Sequence, residues 1–371
     1  MMHTLFHLPT KIVFGAGCST DLARHIKPKR LLVVASGAMR RLGVVDRLVG
    51  ALGADELAVF AEVEPNPSFA TVDRAARLAR ELHPDHVLGI GGGSPLDVAK
   101  VVACLAENGG SVAEYAAGKR AFGDTRPVLV AIPTTAGTGS EVSPFAALTD
   151  AQRHGKSLLK AERLRPDLAL VDSKLTRTTP PAVTAATGLD ALCHAMEAFW
   201  SLNAQPLTDL CALRAIESIF KNLPQAWADG QDDAARDMMA EASLMAGIAF
   251  GQTMTNVCHA LSYALTTRHG LEHGFACAIT LPAVVRRLGA AVPERFAPLL
   301  RTLDASSPDE LADRLTGLLE KLNAPTHLAK LGVDTAAAEA VCDVALAAPN
   351  LRLAPGKLKR EDLLQILLEN N

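Results

Sequence analysis

The stretch His86-Val87-Leu88-Gly89-Ile90-Gly91-Gly92-Gly93-Ser94-Pro95-Leu96-Asp97 decides how this chain folds. Its first five residues read as a buried strand. The three glycines that follow let the backbone turn sharply and approach a ligand without Cβ interference. From Val98 to Ala106 the pattern is helical, with Ser94 reading as the N-cap, Pro95 as the first helical residue and Asp97 as the far half of a capping box. Free N–H groups at such a helix start suit a pyrophosphate, which makes Gly92, Gly93 and Ser94 candidate dinucleotide-binding residues. The plainer alternative is a capped helix after a tight turn that binds nothing. Three consecutive glycines directly after a strand favour phosphate.

Similar units surround this one. Lys11–Phe14, Leu31–Ala35, Leu57–Phe60, Val128–Ile132 and Leu168–Val171 read as further strands, and Ser68 to Leu82 is an amphipathic helical stretch. Strands separated by helices pair in parallel, because the chain must cross back over the sheet. After Thr179-Pro180-Pro181 the texture changes to long Ala/Leu-rich helical patterns. The double proline stops the preceding element and can open a helix at its first turn. The expectation is a two-domain chain: residues 1–180 an α/β dinucleotide-binding domain with a parallel sheet and flanking helices, residues 181–371 an all-α domain.

A length of 371 residues suits two domains. Hydrophobic residues make up 49% and charged residues 21%, the balance of a soluble globular protein. A net charge of −3 argues against nucleic-acid or acidic-membrane partners, which call for a basic face. Seven scattered cysteines without a C-x-x-C pair point away from a disulfide framework and toward a reducing cytoplasm. Met1 to Thr10 has no signal-peptide pattern. Leu244 to Leu265 is the most membrane-like run, but Gln252, Asn256 and His259 interrupt it, so it reads as a buried helix.

A second polar loop, Pro133-Thr134-Thr135-Ala136-Gly137-Thr138-Gly139-Ser140-Glu141, follows another strand, and its hydroxyls could bind ribose, phosphate or the nicotinamide amide. Gly15-Ala16-Gly17 lacks the third glycine of a dinucleotide fingerprint and reads as a turn. In the helical half, Asp190 and His194 are four apart and share one helix face. His259 lies in a later helix, and His273 precedes Gly274; His269, four before His273, competes with it. One carboxylate and three imidazoles suit Fe²⁺ or Zn²⁺. Each histidine alone has a plainer reading as a core or surface residue, and the case rests on the set. Ligand pockets favour domain boundaries, so a metal facing a dinucleotide across a cleft is sensible geometry.

These motifs together resemble the iron-containing (group III) alcohol dehydrogenase family over essentially the full length, with features near phosphonoacetaldehyde-reductase-like members. The resemblance also rests on Glu64-Pro65-Asn66-Pro67, Ile132-Pro133 and Ala186-Thr187-Gly188-Leu189-Asp190-Ala191-Leu192-Cys193-His194. It implies an oxidoreductase that passes hydride between NAD or NADP and a small alcohol or aldehyde, as a homodimer. It implies Asp190, His194, His259 and His273 as metal ligands, over His269, with Asn66, Gly93, Ser94, Asp97, Thr135, Thr138 and Lys156 lining the cofactor. Thr134 joins them as part of the same loop. Two places depart from the family pattern. Tyr263 stands where many members carry a proton-relaying histidine, and is either the relay here or an aromatic lining the pocket. Ser36 stands where NAD-preferring members often carry an acid, with Arg40 and Arg41 close behind, so a 2′-phosphate is not repelled and NADP is possible. Arg268, Arg352 and Lys357 resemble members that reduce anionic aldehydes, although solvated surface is the plainer reading. The alternatives from other classes are a metal- and NAD-using lyase related to dehydroquinate synthase and a non-enzymatic dinucleotide sensor.

Overall fold

The computed structural model describes residues 5–150 and 155–369. It divides into two compact units. One is Leu8–Thr178; the other comprises Thr179 onward together with residues 5–7 at the N-terminus. His7 shows why those first residues belong with the second unit: its N–H donates to Gln252 Oε1 at 3.1 Å, and its carbonyl accepts from Gln252 Nε2 at 2.9 Å.

The first unit is built on strands β1 (Lys11–Phe14), β2 (Arg30–Ser36), β3 (Glu56–Val63), β4 (His86–Gly91), β5 (Val128–Pro133), β6 (Phe145–Asp150), β7 (Gly155–Lys160) and β8 (Leu168–Val171). Six of them form one sheet in the order β1-β8-β5-β4-β2-β3, and every pairing in it is parallel. Burial on both faces explains the continuous apolar runs. In β2, Leu31, Val33 and Ala35 pack on one face with Val45, Leu48, Ile90 and Ile132. Leu32 and Val34 pack on the other with Val72, Ala76, Val98 and Val102 from two helices. The six strands expected from the sequence are all present. The antiparallel β6–β7 pair is an addition, forming a separate two-stranded sheet.

The sheet's wiring places the ligand motifs. From β2 the chain goes outward to β3, whereas from β4 it goes to β5 on the opposite side, so the order reverses between β2 and β4. Ligands of open α/β sheets bind at the carboxyl ends of the strands beside such a reversal. Ser36, Asn66, the glycine run and the Thr134–Ser140 loop all lie at or just past the carboxyl ends of parallel strands, so they share that edge. The Gly15–Gly17 segment is a turn, with the Gly17 N–H donating to Asp172 Oδ1 at 2.7 Å.

In the second unit the described residues contain helices and no strands. The long ones are Pro181–Trp200, Pro206–Ala228 and Asp233–Thr253, followed by Val257–His269, His273–Ala278 and Leu281–Ala291. Pro180 is the N-cap and Pro181 the first residue of its helix, as the double proline suggests. The run from Leu244 to Leu265 is not one helix. It breaks at Met254, whose φ is 63°, and a new helix starts after Asn256. By composition His273–Ala291 is apolar enough to span a membrane, but 72% of that window is buried within the protein, as in a core helix.

Candidate active site

The glycine run ends β4 and opens the helix Gly93–Asn108, whose N-cap is Gly92. Ser94 is therefore not the cap expected from the sequence: the helix starts two residues earlier, and no side chain caps it. Ser94 Oγ instead accepts from the Asn66 N–H at 3.3 Å. Asp97 does not close a capping box either. Its carboxylate accepts from Ser140 Oγ at 2.5 Å and from the Ala147 N–H at 2.8 Å, pinning the second loop to the first. That closeness explains Gly93: a Cβ there would meet Thr138 Cγ2 at 2.9 Å.

Most of the remaining expected cofactor residues gather at this spot. Lys156, delivered by β7, donates to Asn66 Oδ1. The Thr134 N–H donates to Gly91 O at 2.9 Å, continuing the β4–β5 ladder into the loop. Thr135 Oγ1 lies 3.3 Å from where a Gly92 Cβ would be, and it is buried without a hydrogen-bond partner. The first N–H groups of the helix have no intrahelical acceptors. The result is a cradle of backbone donors, one unpartnered hydroxyl and one ammonium. Beneath it Lys100 is 1% exposed, donating to Phe145 O at 2.8 Å and Ser143 Oγ at 3.3 Å. Burial lowers its ammonium to about 8, against the pull of Asp97 and Glu141. Ser36 caps the short Gly37–Arg41 helix by accepting from the Met39 N–H at 3.4 Å, and Arg40 and Arg41 are exposed.

The metal candidates lie in the helical unit. Asp190 and His194 share a face of the Pro181–Trp200 helix; His259 is the third residue of Val257–His269, and His273 the first of His273–Ala278. Asp190 is the hub. Its Oδ1 is 3.4 Å from His259 Nε2 and 3.9 Å from His273 Nε2, and its Oδ2 is 3.8 Å from His194 Nδ1. The His194 ring stacks between Phe250 and His259, with centroids 4.2 and 4.6 Å away. Gly274 makes the approach possible, since a Cβ there would fall 1.9 Å from Ala186 O on the facing helix.

Two residues that sequence reasoning missed complete the cluster. Cys277 joins Asp190, His259 and His273 in a group whose ligand atoms all lie within 4.8 Å of one another. Its position one turn after His273 was the available signal. Glu197 is fully buried; its Oε2 is 2.5 Å from His259 Nδ1, and its Oε1 accepts from the Cys258 N–H at 2.6 Å. It lies seven residues after Asp190 and three after His194, on the same helix face. His269, the rival by spacing, ends its helix outside the cluster.

The donor set fits a divalent cation. Asp190 Oδ1 and His259 Nε2 are buried with no hydrogen-bond partner although 3.4 Å apart, and donors sharing an ion at about 2.0–2.2 Å lie a few ångströms from one another. Among the described residues the ion pairs of Asp190 and Glu197 are all with histidines, so two buried carboxylates face no lysine or arginine. Such a site needs positive charge to be stable. Burial raises the Asp190 carboxyl, but the three imidazoles outweigh it and hold it below its ordinary range. Tyr263 follows His259 by one turn, and burial pushes its phenol up to about 12.

A parallel sheet with a glycine-lined cradle at its carboxyl edge, and a helical unit with a carboxylate–imidazole cluster, define a metal-dependent oxidoreductase that uses a nicotinamide dinucleotide. Residues 9–173 match the family model for iron-containing alcohol dehydrogenase, and residues 184–371 match that for the C-terminal part of the Fe-containing alcohol dehydrogenase family. The chain belongs to the iron-containing alcohol dehydrogenase family, and its reaction is hydride transfer between NAD(P) and a small alcohol or aldehyde. A sulfoacetaldehyde reductase of Bilophila wadsworthia is 33% identical, covering 97% of each chain. An NADPH-dependent butanol dehydrogenase of Clostridium saccharobutylicum is 35% identical, over 88% of this chain and 87% of the relative. The crystal structure of sulfoacetaldehyde reductase from Bifidobacterium kashiwanohense in complex with NAD+ superposes with a TM-score of 0.94 at 32% identity, covering 100% of this chain and 99% of the other.

Proposed function

We propose that Asp190, His194, His259 and His273 hold the divalent metal, Fe²⁺ or else Zn²⁺. In the same reading Asn66, Gly92, Gly93, Ser94, Thr134, Thr135, Thr138 and Lys156 line the dinucleotide, residues 1–180 serve the cofactor and residues 181–371 serve the metal. The observation that carries the metal assignment is the orphaned pair, Asp190 Oδ1 and His259 Nε2. When bound, the metal supplies Lewis acidity to the substrate oxygen and the nicotinamide donates or accepts hydride. Asp190 contributes the negative charge that retains a dication, and the imidazoles contribute neutral donors. Backbone N–H groups at the Gly93 helix start bind the pyrophosphate, while the Thr135 hydroxyl and Lys156 ammonium orient the rest of the cofactor. Asp97 acts at one remove, because its oxygens are committed to Ser140 and Ala147. Tyr263 relays the proton as a neutral hydroxyl, since its phenol stays protonated at physiological pH.

The substrate is a small aldehyde or its alcohol. The sulfoacetaldehyde reductases among the relatives make an anionic aldehyde the first to assay beside a simple aliphatic one. Arg268 and Arg352 are exposed, in keeping with solvated surface. With Ser36 in place of an acid, both NADH and NADPH belong in the assay. The unpaired state of all seven cysteines fits a cytoplasmic location. Leu202, Leu207 and Leu210, at 63%, 51% and 68% exposure, offer apolar surface for a homodimer, which size-exclusion chromatography tests. The enzymatic reading is tested by assaying the Asp190→Ala/His194→Ala double variant for NAD(P)H oxidation after loading with Fe²⁺ or Zn²⁺. Loss of both metal and activity is expected, and full activity in a metal-free double variant would overturn it.

A further inference from the structure

We infer that Glu197 is a positioning residue that holds His259 in its Nδ1–H tautomer, leaving the Nε2 lone pair for the metal. The inference rests on the metal reading above and adds a residue to it. Neutral imidazole carries one proton, and the partner of one nitrogen decides what the other can do. Glu197 Oε2 lies 2.5 Å from Nδ1 and, as a carboxylate, can only accept, so the proton belongs there. The opposite nitrogen, Nε2, is the buried atom without a hydrogen-bond partner beside Asp190 Oδ1.

The same carboxylate also fixes where the ring stands. Glu197 Oε1 accepts from the backbone N–H of Cys258 at 2.6 Å and of His259 at 3.4 Å. These are second- and third-position donors of the Val257–His269 helix, which lack intrahelical acceptors. Asn256 ties the helix start to the same partner helix, its Nδ2 donating to Glu197 O at 3.0 Å and its Oδ1 accepting from Trp200 Nε1 at 2.8 Å. Glu197 therefore links Asp190's helix to His259's helix and sets both the place and the tautomer of the ring. Partners of this kind beyond the ligands tune metal affinity by about 10–100-fold.

Glu197→Gln separates these roles. The amide keeps the size, and its oxygen is drawn to the two backbone donors. That leaves its NH₂ facing Nδ1, which must then accept, and the proton moves to Nε2 where the metal would bind. The expected result is zinc affinity about 10–100-fold weaker, measured by chelator competition, with the metal-free melting temperature little changed. In zinc-loaded wild type, ¹⁵N-edited NMR should find a hydrogen-bonded imidazole N–H of His259 on Nδ1. Unchanged zinc affinity in Glu197→Gln, or a His259 proton on Nε2 in the zinc-loaded wild type, would overturn the inference while leaving the metal site standing. A wild type that takes up no zinc or iron would remove the metal reading itself, and this inference with it.

Discussion

Lys100 gives the most quantitative consequence of the fold. It is 1% exposed beneath the cofactor cradle, and burial lowers its ammonium from 10.5 to about 8. Below pH 8 the folded and unfolded chains both carry the proton, and the folded state bears the full cost of burying the charge. Between about 8 and 10.5 the unfolded chain keeps a proton that the folded chain has released, so stability rises with pH. Above that window both forms are neutral and the cost is gone. At about 1.4 kcal/mol per pH unit, this gap amounts to about 3 kcal/mol. Lys100→Met removes the titration, together with the hydrogen bonds to Phe145 and Ser143, whose loss gives an offset that varies little with pH. Equilibrium denaturation followed by circular dichroism, from pH 7 to pH 10.5, should show wild type gaining about 3 kcal/mol relative to the variant as pH rises. Parallel stability curves, or a wild type that loses ground on going alkaline, would refute the reasoning.

Other substitutions probe the two sites separately. Gly274→Ala forces a Cβ to within 1.9 Å of Ala186 O; backbone cannot yield as a side chain can, so the variant should lose about 3 kcal/mol or more and most of its metal, read by elemental analysis. Gly93→Ala puts a Cβ 2.9 Å from Thr138 Cγ2 and crowds the cradle; NADH and NADPH titrations should show affinity about tenfold weaker with metal content intact, and unaltered affinity would count against the cradle. Tyr263→Phe should keep its metal and lose about 100-fold in kcat, the low end for proton-transfer groups because a phenol near 12 is poorly matched to neutral pH. An unchanged kcat would return Tyr263 to a lining role.

Much of the fold was legible because its physics is local. β2 and β4 are buried on both faces, so their apolar runs stand out, and the glycine run marks where β4 turns into a helix. The β6–β7 pair was not legible: Phe145–Asp150 is short, with alanines at its second and third positions, and nothing in its pattern separates it from a loop. Ser94 and Asp97 have a capping pattern but make contacts to Asn66, Ser140 and Ala147, which lie 28 to 50 residues away and leave no trace in spacing. The break at Met254 was missed for a similar reason, because Glu197 and Asn256 anchor the helix that follows it. Asp190 and His194 announced themselves by sharing a helix face. Glu197 continues that face and Cys277 follows His273 by one turn, so both were open to the same test of helical spacing. Only the folded chain reveals what each faces.

The central claim is that one divalent cation sits among Asp190 and the histidines. Diffraction from crystals of the iron- or zinc-loaded protein, recorded on both sides of the metal's absorption edge, tests it most directly. A single anomalous peak at bonding distance from Asp190, His259 and His273 is the expected result, with His194 as the fourth ligand and Cys277 beside it. Fully loaded crystals whose peak lies elsewhere in the chain, with these side chains turned apart, would contradict it.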